Sequence, residues 1–161
     1  MKLSFSTKGW HQKSFEEFCA VAKEMRFAGI ELHNVQNPLF TGSESALADY
    51  ARAATLRKLY ELNLSIPCLD MIQDPALEGQ HEACSAELAA CLQIAQNLHI
   101  PYIRVRSAAE GGELAVSAIR QWLRQSLAVA EQAGVTLLLE TCGPFCNTAV
   151  LRDLLDEFAS D

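Results

Sequence analysis

The sequence contains no apolar run near the roughly 20 residues that a membrane-spanning helix needs, so no membrane span is expected. Its first ten residues, MKLSFSTKGW, lack the apolar core of a secretory signal, and the expected location is cytoplasmic. Basic residues are outnumbered: 13 Lys and Arg stand against 20 Asp and Glu, a net charge of −7. Non-specific nucleic-acid binding relies on clustered Lys and Arg that neutralise phosphates, so no nucleic-acid partner is expected. A small anionic substrate remains open, because one or two local Arg can hold a phosphate. None of the six cysteines forms a Cys-x-x-Cys pair, and Cys142 and Cys146 find no further Cys/His pair at zinc-finger spacing. Reduced thiols are the expectation for all six.

Half of the 161 residues are hydrophobic and a fifth are charged, which suits a globular chain rather than a disordered one. No linker or low-complexity stretch divides it, so residues 1–161 are read as one domain.

Period-two alternation marks a first strand at Leu3–Thr7, and Ser14 with Glu17 has the spacing of a capping box. Phe15, Phe18, Cys19, Ala22 and Met25 then recur at helical spacing. A second strand is expected at Gly29–His33, and a helix from about Ser45 to Glu61 with Leu47, Tyr50 and Leu59 on its apolar face. The third strand reads Leu64–Leu69 and ends at Asp70. Pro67 within it removes a ladder donor and predicts a bulge or an end. A helix over about His81–Leu98, a strand at Tyr102–Arg106, a long helix over about Glu113–Ala133 and a strand at Val135–Glu140 follow. A last helix is expected from Thr148 to about Phe158, capped by Asn147 or Thr148.

Five β-α units in alternation imply a parallel sheet, because parallel strands need long crossovers. An open doubly wound sheet and part of a (β/α)8 barrel both fit. A dinucleotide-binding sheet would carry a glycine-rich turn after its first strand, yet Thr7–His11 holds one glycine. Polar residues gather at the carboxyl ends of several strands, namely His33, Asp70, Arg106 and Glu140, where a barrel builds its site. Open α/β sheets bind ligands at that end as well, so the pattern leans toward the barrel without deciding.

The run Gly29-Ile-Glu-Leu-His33 resembles the second strand of sugar-phosphate isomerases and epimerases of the xylose isomerase-like TIM-barrel family. The fifth-strand stretch from Val135 through Leu-Glu-Thr-Cys to Thr148, and the helix after it, are similar to the same family. The resemblance implies an incomplete TIM barrel, about five of eight strands. It also implies a divalent cation (Mn, Mg, Co or Zn) held at the carboxyl end by a Glu of strand five, an Asp of strand six, a His of strand seven and a Glu of strand eight. Glu140 maps onto the first ligand, and the other three would lie beyond Asp161. Cys142 stands where relatives often have His.

Each candidate has a plainer reading beside its functional one. Glu140 is a metal carboxylate, or a charged residue where a strand meets solvent. His33 contacts a substrate hydroxyl, or is a surface histidine; Glu31, on the same face, is its second-tier partner or a buried ion pair for an Arg. Arg104 and Arg106 share a face of a strand that should be mostly apolar, so both need partners. Arg106 holds a phosphate, carboxylate or hydroxyl, or both arginines pair with Glu31 and Glu140. Trp10 walls a substrate pocket or belongs to the core, His11 follows the same strand, and Asp70 is a site residue or a turn residue.

The expected function is metal-dependent isomerisation or epimerisation of a sugar or sugar phosphate, by proton transfer next to a carbonyl through an enediolate, with this short chain itself inactive. One alternative is an endonuclease IV-like DNA-repair hydrolase, which the acidic charge disfavours. Another is a non-catalytic barrel fragment that meets a second copy, or a missing C-terminal half, through open strand edges.

Overall fold

A computed structural model describes residues 1–10, 12–41, 45–107 and 112–158. His11 lies outside the described residues. Five strands, β1 (Ser4–Ser6), β2 (Gly29–His33), β3 (Cys68–Asp70), β4 (Tyr102–Arg106) and β5 (Thr136–Glu140), form one parallel sheet in the order β1-β2-β3-β4-β5. That order decides between the two architectures. In a doubly wound sheet the order reverses and helices cover both faces. Sequential order with right-handed crossovers puts every helix on one face, as in a TIM barrel. Among the described residues the sheet is open, with β1 and β5 at its edges.

The strands alternate cleanly. Ile30, Leu32, Leu69, Ile103 and Val105 are almost wholly buried beneath the helices, with Phe5 and Leu137 packed beside them. Each such side chain contributes about 1.5–3 kcal/mol by leaving water. The opposite face carries Glu31, His33, Asp70, Arg104, Arg106 and Glu140. In a closed barrel this is the interior; here it is half-covered, and Leu138 and Tyr102 are 39% and 42% exposed on it.

The helices are α1 (Phe15–Glu24), a single turn α2 (Pro38–Thr41), α3 (Arg52–Leu62), α4 (His81–Leu98), α5 (Gly112–Gln132) and α6 (Thr148–Glu157). Ser14 and Glu17 close the capping box at the start of α1, and the Asn147 side chain accepts from the Ala149 N–H to cap α6. Ile119, Phe145 and Leu154 form a second apolar cluster that fastens α6 to α5, and Glu157 pairs with Arg120 and Arg124 beside it. Between β5, α5 and α6 a groove of about 570 Å³, lined by Leu137, Leu139, Leu154 and Phe158, opens on the helix side of the β5 edge.

The structure departs from the sequence reading in three places. The helix expected from Ser45 begins at Arg52, after a 3-10 turn at Asp49–Ala51. Ser45 Oγ donates to the Phe40 carbonyl and accepts from the Leu47 N–H, and Thr55 Oγ1 donates to the Ala46 carbonyl at 2.6 Å. These bonds fold residues 45–48 as a turn, so Leu47 reaches the core from a loop and Tyr50 stays exposed. The third strand proper begins only at Cys68. Ser65 accepts from the Ile30 N–H at 2.9 Å, and Pro67, with no N–H to give, interrupts the ladder. Met25, placed by its spacing on the buried face of α1, is the exposed C-cap.

Gly29 is required where β2 starts. A Cβ there would lie 2.6 Å from Ser4 Oγ and 3.1 Å from the Ser65 carbonyl, inside van der Waals contact with both neighbouring strands.

Candidate active site

Parallel pairing sets His33 beside Asp70, Asp70 beside Arg104, and Arg106 beside Glu140. Residues that point to the inner face at these levels therefore converge from four strands. Arg104 is their centre. Its Nε and Nη2 meet Asp70 Oδ1 at 3.1 Å and Oδ2 at 2.8 Å, a two-point fork that a guanidinium makes and an ammonium does not. Nη2 also lies 3.1 Å from Glu31 Oε1, and Nε lies 3.6 Å from Glu140 Oε2. The hydrogen bond to Asp70 outweighs burial and raises the Arg104 pKa, so the guanidinium is charged at every relevant pH.

Asp70 is fully buried. Burial alone would raise its carboxyl, but hydrogen bonds from His33 and Arg104, with their charges, bring it down to about 2. An ionised carboxylate only accepts, so His33 Nδ1, 2.8 Å from Asp70 Oδ2, carries the hydrogen. With Nδ1 donating, the neutral form of the imidazole is held in one tautomer and presents Nε2 as its acceptor nitrogen. The backbone beneath it is tied as well, since the His33 N–H donates to Thr7 Oγ1 at 2.9 Å.

Trp10 and His33 share a small pocket of about 50 Å³ with Thr7, Asn34, Asn37 and Phe40. Trp10 is 38% exposed, with Phe5 against its ring at 5.8 Å between centroids, so it sits between core and mouth. Asn34, at φ 55°, turns the chain out of β2, and its buried Oδ1 has no hydrogen-bond partner.

The structure thus links His33, Asp70 and Glu140 through Arg104 and puts Trp10 against His33. Arg106 adjoins Glu140 in register, but among the described residues no salt bridge reaches it. Of the plainer readings, pairing with Glu31 and Glu140 holds for Arg104 and not for Arg106. The turn role considered for Asp70 belongs to Asp74, whose Oδ1 accepts from the Ala76 N–H. Sequence reasoning missed Thr7 and Glu87. Glu87, on α4, is fully buried and accepts from the N–H groups of Ile72 and Gln73 at 3.0 and 2.9 Å, which fixes the loop after Asp70. A Glu in an apolar helix run was the signal available for it.

All six cysteines are unbridged, and four are buried. Burial pushes the Cys19 and Cys68 thiols up to about 11 and that of Cys84 up to about 12, so they are inert at neutral pH. The Cys142 thiol donates to the Ser107 carbonyl at 2.7 Å, next to Glu140.

The divalent cation that the resemblance implies needs several oxygen or nitrogen donors. Glu140 Oε2 is buried and makes no hydrogen bond, which suits donation to a cation. Among the described residues, however, no three His, Cys, Asp or Glu side chains are placed to share one ion. The described residues offer one ligand and do not assemble a metal site.

The profile of the xylose isomerase-like TIM-barrel family matches residues 19–161. The probable 3-DHS dehydratase AsbF of Bacillus anthracis is similar in structure at 23% identity and a TM-score of 0.74, over 98% of this chain and 59% of that one. The zinc-bound IolI protein gives 13%, 0.73, 98% and 59%, and the E. coli 3-keto-D-glucoside 4-epimerase YcjR gives 16%, 0.70, 98% and 64%. At these identities the likeness is one of fold. The chain spans about three fifths of the length of these structures. No curated protein matches it in sequence. Among the described residues no helix is long and apolar enough to cross a membrane.

Proposed function

The chain belongs to the xylose isomerase-like TIM-barrel family, and from that premise we propose that it supplies the first five units of a barrel that isomerises or epimerises a sugar or sugar phosphate by moving a proton next to a carbonyl. One observation carries this reading. Side chains of four strands converge on the inner face at the carboxyl ends, joined through Arg104, where barrels of this architecture place their chemistry.

In this reading His33 takes a substrate hydroxyl at Nε2, with Asp70 holding its ring. Arg106, with no salt bridge among the described residues, holds a phosphate, carboxylate or hydroxyl through its fork of donors. Trp10 walls the pocket against the apolar face of a sugar. Glu140 is one ligand of a divalent cation (Mn, Mg, Co or Zn), the others coming from strands this chain does not span. The named activities of AsbF and YcjR support a polyhydroxylated carbonyl substrate, and the zinc in IolI supports the cation.

The test is a protein that carries all eight strands, incubated with ketoses and ketose phosphates in deuterated water. Deuterium should enter the carbon next to the carbonyl, and Glu140→Gln should abolish the exchange while leaving the melting temperature close to wild type. Absence of exchange across the panel, with or without Mn²⁺ or Co²⁺, would overturn the reading.

A further inference from the structure

We infer that Arg104 is the structural cation of this site, so that the chain folds and holds Glu31, Asp70 and Glu140 together without a divalent metal ion. The inference goes beyond the proposed reaction and does not depend on it.

Three carboxylates on one sheet face repel one another and need a positive charge between them. A metal ion is one solution, and the described residues lack the donor set for it. The guanidinium stands in that place. It takes Asp70 by two nitrogens at 2.8 and 3.1 Å, Glu31 at 3.1 Å, and Glu140 at 3.6 Å. His33 on β2 faces Asp70 from the other side, and Arg106 stands two residues further along β4.

Geometry makes the role specific to arginine. Donors of one rigid plane reach β2, β3 and β5 at once from β4, which lies between β3 and β5. The contacts are partly sheltered, since the Arg104 side chain is 27% exposed and that of Asp70 is 0%. A divalent ion entering here would have to displace the fork from Asp70, and a hard cation wants six or more oxygens. Glu140 Oε2 is held there by charge without a hydrogen bond.

The experiment uses the 161-residue chain in two arms, neither of which reads turnover, so failure of the proposed reaction does not touch it. In the first, Mn²⁺ binding is followed by the electron paramagnetic resonance of the free ion, and thermal melting is recorded in EDTA and in excess Mn²⁺. Binding on the order of a millimolar or weaker, with one Tm in both conditions, is the expected result. In the second arm, Arg104→Met in EDTA should melt roughly 10 °C lower or fail to fold, because three carboxylates lose their shared cation. Arg104→Lys should fold and melt between the two. Tight Mn²⁺ binding with a rise in Tm, loss of wild-type structure in EDTA, or wild-type melting of Arg104→Met would each overturn the inference. If both variants fail to fold, the wild-type arm decides: a metal-independent Tm upholds it, and a metal-dependent one sinks it.

Discussion

Asp70 Oδ2 lies 2.8 Å from His33 Nδ1 and the same distance from Arg104 Nη2, so one buried carboxylate oxygen serves two cationic or potentially cationic partners. This makes Asp70 the residue whose protonation the fold feels most. The hydrogen bonds and charges of His33 and Arg104 hold its carboxyl down at about 2, below the usual carboxylate range of about 4. The folded state therefore binds the proton less readily than the unfolded chain. The resulting stability, on the order of 2 kcal/mol, is present above about pH 4 and disappears as the pH falls from there to about 2. Urea midpoints measured across that range should fall for the wild type. They should fall less for Asp70→Asn, which starts lower because the Arg104 fork loses its charged acceptor. Parallel curves for the two proteins would contradict the assignment.

Glu87 offers a test away from the charged cluster. Both its oxygens are used on backbone N–H groups of the loop after β3, and no water reaches the side chain. Glu87→Ala strands two part-buried backbone donors and should cost about 3 kcal/mol in urea unfolding. Glu87→Gln keeps one acceptor oxygen and should lose roughly half as much. Equal losses for the two variants would mean that packing, and not the two hydrogen bonds, accounts for the effect.

How much of this was legible in the chain follows from which interactions are local. The capping box at Ser14 and Glu17 is written within four residues and could be read directly. The β-α alternation is written as periodicity, and the strand faces followed from it. The turn at Ser45 was not legible, because it depends on carbonyls five residues back and on Thr55 ten residues ahead. The ends of α3 and α4, expected at Glu61 and Leu98, were legible to within one residue, although no glycine marks them. Both end on left-handed residues, Asn63 at φ 53° and His99 at φ 57°, where glycine is the usual signal. Within the site, the types and strand ends were readable. The division of labour between Arg104 and Arg106 was not, since both share a face and only the register Asp70↔Arg104 distinguishes them.

Arg106 is the side chain whose loss should affect ligands and not the fold. No salt bridge ties it to another described residue. Arg106→Ala should leave stability within about 0.5 kcal/mol of wild type. In a protein carrying the whole barrel, the same change should raise KM for an anionic or polyol substrate by about tenfold or more, the value of a hydrogen bond to a charged donor. Unchanged KM and kcat would remove Arg106 from the site, and a large loss of stability would place it among the structural ion pairs.

The open edges of the sheet make the last prediction. β5 is five residues long, unpaired along one side among the described residues, and carries Leu138, 39% exposed on the inner face. On the other face the groove beside α5 and α6 leaves Leu137 and Leu139 short of cover. A free parallel edge flanked by apolar side chains is a template for another strand, and natural proteins blunt such edges with lysine. We therefore expect the 17.7 kDa chain to run above its monomer mass in light scattering, increasingly so with concentration. Leu138→Lys should shift it toward monomer while changing Tm little, because the side chain is partly in water already. If the wild type stays monomeric at high concentration with a cooperative melt, the edge satisfies itself with solvent, and association through it is wrong.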